Sequence, residues 1–562
     1  MPERKGAIAG NMYNKYREAL RGMKKRTQLT LVSCIAIAAT ALAGCNAGGN
    51  EGGGAAAPAQ SDKGSTSQKE QQGPVEISFF MNTNMEAKAV KGFEEIEGFK
   101  EIQRRTNTKI NFQLPGDGSQ FNIMLASGSY PDIMFVPRNY PGGVEKLVQE
   151  GIALKLNDLI EEHAPNYKKI LDEHPEIKKQ IMMDDGTIAK FPQIDIDMHR
   201  IAYSGHIIRE DWLNKLNLQA PTTIDEWYKV LKAFKENDMN GNGVADEIPL
   251  GERGDTLSSI SSFATSYGIL ANTFHLNPQT GKVTYGPYEP AFKDYVTTMN
   301  KWYEEGLIDS EFAALDKKAF EAKFANNTIG SYAAVISGIN NFKDLMQAQV
   351  PDFKLIGLSP PIGPAGKSYS GHTQMVQNVP LEGAVISSQA KDPVAAVKLL
   401  DFMIGPEGSD LQNWGIEGKS YVVENGKKKY TDEVFKHPDF SPSDAVKKYA
   451  LPTTGMVKVM SFDAWAAFEL KYPEAAEANK KWYDADRSLL LPALTFTGEE
   501  SQTLGSIMSE VETYSREMWV KFIMGNEPID NYEQFRDTLS KMRIEEAIAI
   551  YQAAYERFQN RK

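Results

Sequence analysis

The sequence predicts an α/β protein in which a parallel sheet carries helices on its faces. Short strand patterns alternate with helical patterns from residue 75 onward, which is the order that parallel sheets require. The chain has 562 residues, of which 41% are hydrophobic and 10% aromatic, so a large core can form. A prior of about 150 residues per domain suggests two to four domains.

The first elements follow one another closely. The first segment alternates apolar and polar residues, which is typical of a strand with one buried face. The predicted bounds, in chain order, are strand Val75–Phe80, helix 89–105, strand 109–112, helix 121–127 and strand 132–136. The second helix is expected to end at Gly128, because glycine readily adopts the left-handed conformation that terminates many helices.

The rest of the chain mixes helices with short strands, and its last part is strongly helical. We predict helices over Ile224–Glu236, 290–305, 393–403, 501–522 and 531–557, and a strand over 333–336. Three tryptophans on these helices, Trp227, Trp302 and Trp519, are interpreted as core residues. No internal repeat of 20–50 residues is present.

Charge and cysteine content exclude two classes of protein. The chain has 74 acidic and 62 basic residues and a formal net charge of −12, which argues against a nucleic-acid binder. Its two cysteines, Cys34 and Cys45, both lie near the N-terminus, so the rest of the chain has no disulfide or cysteine-based zinc framework.

The first 44 residues predict a signal peptide. Residues 23–26 read Met-Lys-Lys-Arg, an apolar run covers 29–42, and the run ends in Leu-Ala-Gly-Cys. This ending resembles a lipobox, which implies cleavage before Cys45 and acyl chains such as palmitate on that cysteine. The alternative is a short buried helix with an incidental cysteine. Residues 1–22 have no hydrophobic run, which makes Met23 an alternative start.

Residues 45–74 predict a lipidated cysteine followed by a flexible tether. After Cys45 the segment is rich in Gly, Ala, Ser and Gln and has almost nothing to bury. Two or three acyl chains would anchor the protein stably, whereas one anchors weakly. We therefore expect an extracytoplasmic protein held on the cell membrane by its N-terminal lipid, as on a Gram-positive surface.

Short motifs spread over the body of the chain resemble segments of one protein family. They read ASGSYPDI at 126–133, DGTIAKFP at 185–192, REDWL at 209–213, PTTIDEW at 221–227, WYEEGLI at 302–308 and NWGIEG at 413–418. In this order, behind a lipobox, they resemble the extracellular solute-binding proteins of ABC importers (family 1, lipoprotein type).

The resemblance implies two hinge-linked α/β lobes with central mixed sheets, the type II periplasmic-binding-protein-like fold. A ligand would bind in the cleft between the lobes, beyond the carboxyl ends of the strands. By resemblance we place lobe 1 at 75–195 plus 350–430, and lobe 2 at 196–349 plus 431–562 with its helical C-terminus.

The loop 238–247 has the most specific local motif in the sequence. It places oxygen-bearing side chains at positions 1, 3 and 5 and glycine at position 6, as in the first half of an EF-hand calcium loop. Position 12, normally glutamate, is Pro249, so later residues must complete the shell. The predicted calcium ligands are Asp238, Asn240, Asn242, the carbonyl of Val244, Asp246 and Glu247.

This loop variant is similar to the structural calcium site of alginate-type oligosaccharide-binding proteins in the same family. The ion would cross-link the residues of the loop and stabilise lobe 2 by mass action. The alternative is a Gly/Asn turn without metal.

Motifs for catalysis are absent from the sequence. Its seven histidines form no H-x-x-x-H pair, there is no G-x-S-x-G elbow, and the only cysteine after the signal is the predicted lipid site. Gly366-Lys367-Ser368 copies the end of a phosphate loop, but Pro361 stands where the motif needs its first glycine. We predict that the chain is not an enzyme, although carboxylates of a glycosidase would meet only in the fold.

A sugar cleft combines aromatic rings, which stack on sugar faces, with polar side chains for the hydroxyls. The candidates lie at strand ends or in loop motifs: Asn82, Asn84, Arg138, Asn139, Tyr203, Ser337, Trp414, Glu417, Tyr421 and Trp465. Trp414 and Trp465 could equally be core residues, and Arg138 a solvated loop charge. His372 is interpreted as a loop histidine.

The function favoured by the resemblance is a lipid-anchored receptor that captures an oligosaccharide and delivers it to a membrane permease. The implied partners are ABC permease subunits and their ATPase, with the receptor itself a monomer. Three alternatives stay open: a receptor for a non-sugar solute such as a peptide-like compound, a surface polysaccharide-degrading enzyme, and a sensor subunit that presents its ligand to a kinase ectodomain.

Overall fold

The computed structural model describes residues 73–81, 88–115, 119–138, 140–253, 256–453 and 456–561. The predicted signal peptide, Cys45 and the tether up to residue 72 lie outside the described residues, as do Asn82, Asn84 and Asn139. The residues from Pro74 onward belong to one compact unit. No helix in the described part of the chain is long and apolar enough to cross a membrane.

Two four-stranded sheets organise the described chain. The strands β1–β14 are, in chain order, Val75–Phe80, Thr108–Gln113, Ile133–Val136, Gln193–Ile194, Ser204–Arg209, Ile248–Leu250, Phe274–Leu276, Val283–Tyr285, Ile329–Val335, Leu355–Leu358, Gly383–Ile386, Tyr421–Glu424, Lys427–Tyr430 and Lys458–Val459. Sheet 1 has the order β11-β3-β1-β2, and sheet 2 has the order β10-β5-β9-β6. The remaining strands form the pairs β12-β13, β14-β4 and β7-β8.

Both large sheets are mixed. In sheet 1, β1 runs parallel to β2 and β3, while β11 is antiparallel to β3. In sheet 2, β9 is parallel to β6 and antiparallel to β5, which is also antiparallel to β10. The α/β class with central mixed sheets is therefore confirmed.

The α-helices surround these sheets. Helices α1–α21 are, in chain order, Glu97–Thr106, Gln120–Ser127, Gly143–Gln149, Asn157–His163, Pro165–Glu173, Pro175–Ile181, Glu210–Lys215, Ile224–Glu236, Ser258–Ser261, Ala291–Glu304, Lys317–Ala325, Ser337–Met346, Pro393–Ile404, Pro406–Asn413, Asp432–Phe435, Pro442–Ala445, Phe462–Glu469, Pro473–Tyr483, Gly498–Ile523, Tyr532–Lys541 and Ile544–Asn560.

Each large sheet has a core of its own. Phe79 and Ile133 of sheet 1 pack with Ile102 of α1 and Leu400 of α13. Around sheet 2, Trp227 and Trp302 are fully buried, and Trp519 of α19 is 2% exposed. The prediction that these three tryptophans are core residues is confirmed. Because the cores around sheet 1 are separate from those around sheet 2, the molecule has two lobes.

The lobe bounds differ from the predicted ones at two places. The predicted lobe 1 segment 350–430 begins with β10, but β10 pairs with β5 of sheet 2. Its Leu355 and Leu358 are buried in the cores around that sheet, which explains the pairing. The predicted lobe 2 segment 431–562 begins with residues that belong to lobe 1, because Met456 and Val457 lie in the core of sheet 1. The chain therefore crosses between the lobes three times.

The predicted C-terminal helix 531–557 is divided in two. Helix α20 ends at Lys541 and α21 begins at Ile544, because Arg543 between them has φ of 68° and cannot continue a right-handed helix. Helix α19 is continuous, and Thr497 and Glu500 form a capping box at its start.

Helix α21 reaches from lobe 2 to lobe 1. Its core residue Ala547 packs in lobe 2. At its other end Arg557 Nε donates to Asp184 Oδ2 at 2.6 Å, and Arg561 Nη2 donates to Asp184 Oδ1 at 2.7 Å. Lys179 at the end of α6 donates to the carbonyl of Gln559. Charged contacts thus hold the C-terminus against lobe 1.

Candidate functional site

A cavity of about 400 Å³ lies between the lobes and is lined from both of them. We call it the interlobe cavity. Its walls come from strand ends and the segments that cross between the sheets, which is where open α/β sheets bind ligands. Its lining includes Arg138, Gln193, Asp195, Arg200, Tyr203, Ser337, Gln374, Gln377, Glu382, Trp465 and Glu469.

Four predicted ligand contacts meet in the interlobe cavity. Arg138 lies just after β3 and Tyr203 just before β5, while Ser337 begins α12 after β9 and Trp465 lies on α17. The side-chain amide nitrogen of Gln374 donates to the Tyr203 hydroxyl at 2.7 Å, and the amide oxygen accepts from Arg138. The Tyr203 ring contacts His372 edge-on with ring centroids 4.6 Å apart. Residues that lie far apart in sequence therefore line one cavity.

Three other predicted contacts lie elsewhere. Trp414 and Tyr421 are buried in a small core beneath the β12–β13 hairpin, where Trp414 packs on Tyr430 with ring centroids 4.7 Å apart. Glu417 is exposed in the turn before β12. None of the three lines the cavities described here, because the aromatic rings of this segment pack on the hairpin. Asn82, Asn84 and Asn139 remain outside the described residues.

Two cations of the interlobe cavity are paired with carboxylates. Arg200 forms two hydrogen bonds with Asp195, one of them from Nη2 to Oδ2 at 2.6 Å, and Asp195 is 1% exposed. Arg138 Nε lies 3.9 Å from Glu382 Oε2, and its Nη2 donates to Gln377 Oε1 at 3.3 Å. Both arginines are thus paired within the protein.

A second cavity of about 900 Å³ opens beside the first, on lobe 2. We call it the serine cavity, because many serine hydroxyls line it together with aromatic rings. Val335 and Ser337 line both cavities. The lining includes Ser204, His206, Glu252, Ser258, Ser262, Tyr332, Asn341, Phe342, Ser370, His372, Thr373 and Trp482. Hydroxyls beside aromatic rings suit a polar ligand with apolar faces.

The histidines of the serine cavity are held neutral. Burial lowers the pKa of His206 to about 3 and that of His372 to about 4. The Nε2 atoms of both rings, and the hydroxyl of Tyr332, are buried without a hydrogen-bond partner in the described part of the chain. The two neutral rings therefore place no positive charge beside the cavity.

Glu252 adds a buried carboxyl to the serine cavity. It lies just after β6, is 0% exposed, and accepts hydrogen bonds from the backbone N–H groups of Arg253 at 2.7 Å and Ile260 at 2.8 Å. Burial raises the pKa of Glu252 to about 8. Sequence reasoning missed this residue and His206. Only weak indications of this cavity are present in the sequence, namely a carboxylate right after a strand and the run of serines at 258–262.

Loop 238–247 is a separate polar site. Asp238 accepts hydrogen bonds from the backbone N–H groups of Gly241 at 2.7 Å and Gly243 at 2.8 Å. These N–H groups, that of Gly243 foremost, hold the pKa of Asp238 below its usual value. Gly241 and Gly243 have φ of 75° and 76°, so the tight turn depends on glycine.

The remaining predicted calcium ligands are close together in the same loop. Asp246 accepts from the amide nitrogens of Asn240 at 2.9 Å and Asn242 at 3.0 Å. Glu247 is 2% exposed and accepts from the backbone N–H of Met239 at 2.7 Å. Among the described residues, no group of three or more histidine, cysteine or acidic side chains could hold a metal ion.

Two α/β lobes joined by three crossings, with a polar cavity between them, define a type II periplasmic-binding-protein-like receptor. The family model described as bacterial extracellular solute-binding protein matches residues 86–410, and the chain belongs to this family.

Named relatives and solved structures agree with this assignment. The chain is 26% identical over 460 residues to the fructooligosaccharide ABC transporter substrate-binding protein FusA of Streptococcus pneumoniae, covering 78% of this chain and 82% of the relative. It is 26% identical over 328 residues to the polygalacturonan/rhamnogalacturonan-binding protein YtcQ of Bacillus subtilis, covering 57% and 63%. The structure of alginate-binding protein AlgQ2 without calcium ion aligns with a TM-score of 0.66 and 27% identity, covering 86% of this chain and 98% of that one.

Proposed function

We propose that the chain is the receptor subunit of an ABC importer and captures an oligosaccharide in the interlobe and serine cavities. The observation that carries the proposal is the shared lining: Ser337 and Val335 belong to both cavities, and the interlobe cavity takes residues from both lobes. The names of FusA and YtcQ, which bind carbohydrate polymers or oligomers, support this ligand class.

Binding across the lobes is the proposed mechanism. A ligand that contacts Arg138 of lobe 1 and Ser337 of lobe 2 at once favours the arrangement in which both are within reach. It stabilises that arrangement by its difference in affinity for the two states. Trp465 and Tyr203 place aromatic rings at the lining of the interlobe cavity, and the serine hydroxyls offer hydrogen bonds to sugar hydroxyls. A permease would then recognise the liganded form through both lobes.

We propose a structural calcium ion at loop 238–247. Five side chains place carboxylate or amide oxygens within this one loop, and calcium prefers oxygen ligands. The donors would be Asp238, Asn240, Asn242, Asp246, Glu247 and the carbonyl of Val244. Relatives support the idea, since solved structures include AlgQ2 without calcium ion and a FusA EF-hand mutant.

We also propose the membrane attachment and the absence of turnover. Cys45 would carry the lipid that anchors a monomeric receptor outside the cytoplasm, and a lipoprotein of Bacillus subtilis, LipO, is among the relatives. The chain would bind its ligand without cleaving it, as a solute-binding protein does.

Calorimetric titration with a panel of neutral and acidic oligosaccharides, with a reducing-end assay on the same mixtures, tests the proposed function. We expect saturable binding to at least one oligosaccharide and no release of reducing ends. Tyr203→Phe should weaken that binding, because its hydroxyl lies in the interlobe cavity. Tyr449→Phe is the matched control, because its hydroxyl bonds Glu433 away from both cavities. Cleavage of the ligand, or no binding across the panel, would overturn the proposal.

A further inference from the structure

We infer that this receptor selects uncharged oligosaccharides and rejects those that carry carboxylates, such as uronic acid oligomers. The inference rests on the function proposed above and specifies the ligand class of the same site. It follows from the charged side chains that line the two cavities. Among the described lining residues, every cation has a partner, whereas two carboxyls have no cationic partner.

Both cations of the interlobe cavity have interaction partners within the protein. Arg200 is fixed in two hydrogen bonds to the buried Asp195, whose side chain is 1% exposed. Because Asp195 would be left as a buried, unpaired charge, Arg200 cannot turn to a ligand without a large penalty. Arg138 is held more loosely: its Nε lies 3.9 Å from Glu382 Oε2, its Nη2 donates to Gln377 Oε1 at 3.3 Å, and its side chain is 41% exposed.

The serine cavity has two further cations at its lining. Lys317 lies at the rim, where its side chain is 68% exposed and its Nζ is 3.7 Å from Glu321. The second cation, Arg253, also has an interaction partner. The internal stretches outside the described residues contain no lysine or arginine in sequence; they are 82–87, 116–118, 139, 254–255 and 454–455.

Two carboxyls face the cavities without a compensating cation. Glu252 in the serine cavity is bonded only to backbone N–H groups. Glu469 in the interlobe cavity has no cationic partner in the described part of the chain, and burial raises its pKa. Neither carboxyl offers a positive charge to an anionic ligand, whereas the hydroxyls of an uncharged sugar can donate hydrogen bonds to them or accept from them.

A carboxylate entering this cleft would lose its hydration and gain no unpaired cation. Burying a charge without a partner is costly, whereas hydroxyl groups need only hydrogen bonds. The serine hydroxyls of the lining can supply those bonds without charge, and the neutral rings of His206 and His372 add no positive charge. The lining of the cleft therefore favours binding of neutral sugars over sugars that carry carboxylates.

Matched pairs of ligands test the inference on the purified full-length protein. The probes are neutral oligosaccharides of two to four sugars and the same oligosaccharides oxidised at C6 to uronates, titrated by calorimetry at low ionic strength. We expect each uronate to bind at least about tenfold more weakly than its neutral counterpart. Equal or tighter binding of uronates would overturn the inference and leave the proposed function intact. Failure of both series would overturn the proposed function itself.

A substitution that keeps the side-chain shape and removes one negative charge tests the cause. Glu382→Gln keeps the shape of the side chain but releases Arg138, and we expect the uronate to gain about tenfold relative to the neutral sugar. The matched control is Glu76→Gln, which releases Lys109 from an exposed ion pair outside both cavities. An unchanged affinity ratio in Glu382→Gln, as in the control, would show that paired cations do not set the selectivity.

Discussion

The serine cavity and loop 238–247 are both rich in oxygen atoms, yet they use them in opposite ways. In the loop, Asp238 and Asp246 accept hydrogen bonds from neighbours in the same ten-residue segment. In the cavity, His206, Tyr332 and His372 each keep a polar atom without a partner in the described part of the chain. The carboxylates of the loop are thus bonded within the loop, whereas these three polar atoms of the cavity lining are enclosed by protein without a bond.

The largest effect should come from filling the place where the two cavities meet. Ser337 lines both cavities at the start of α12, so Ser337→Trp would block the passage between them. We expect oligosaccharide affinity to fall about 1,000-fold, roughly 4 kcal/mol, by calorimetry. Ser310→Trp at an exposed position outside both cavities is the control. Undiminished binding in Ser337→Trp would remove the cavities from the ligand site.

Calcium should act on stability and leave the cavity alone. With calcium at a hundred times its dissociation constant, the ion would add about 3 kcal/mol to the free energy of unfolding. We expect excess EDTA to lower the thermal midpoint of the wild type and leave that of Asp238→Ala unchanged. An identical midpoint with and without EDTA in the wild type would argue for a metal-free turn.

Acid should destabilise the cavity region before the loop. His206 is neutral when folded, with a pKa of about 3, whereas the unfolded chain protonates its histidines near pH 6.5. Between those values the unfolded state binds more protons, so stability falls as pH decreases, by up to about 1.4 kcal/mol per pH unit for this residue. Denaturant melts from pH 6.5 to 5 should show a shallower decline in His206→Gln. Equal slopes in the two proteins would contradict the buried neutral ring.

The smallest effect concerns the helix that leads into the loop. Thr223 and Glu226 form a capping box at the start of α8, which ends two residues before Asp238. Thr223→Ala should cost about 1 kcal/mol of unfolding free energy. Ligand affinity should not change, because neither residue lines the cavities. Thr223→Ser, which retains the hydroxyl, is the matched control for a lost hydrogen bond in denaturant unfolding. A loss of ligand affinity in Thr223→Ala would mean that the helix and the cavities are coupled.

Local patterns predicted much of the fold. The alternation at Val75–Phe80 and the Thr-x-x-Glu start of α8 were sufficient for the bounds of β1 and α8, since both depend on neighbouring residues. The break at Arg543 was missed because the helical pattern continues on both sides of it. The pairing of β10 with sheet 2 was also missed, since it depends on a strand almost 150 residues earlier.

The candidate site was predictable only in part. Strand-end positions led to Arg138, Tyr203 and Ser337, because sheet edges collect such residues. Composition alone misled at Trp414 and Tyr421, since aromatic rings suit a small core as well as a sugar. Glu252 and His206 escaped because their burial comes from tertiary packing of segments distant in sequence.

The three crossings between the lobes also determine when the protein can fold. Sheet 1 is complete only when β11 at Gly383–Ile386 pairs with β3. Strand β4 can pair only after β14 at Lys458–Val459 has been synthesised. A growing chain at about 5–20 residues per second therefore completes neither lobe until most of its length exists. A product truncated before residue 383 would lack the edge strand of sheet 1. Premature termination would therefore leave at least one lobe incomplete, and we expect such a product not to bind sugar.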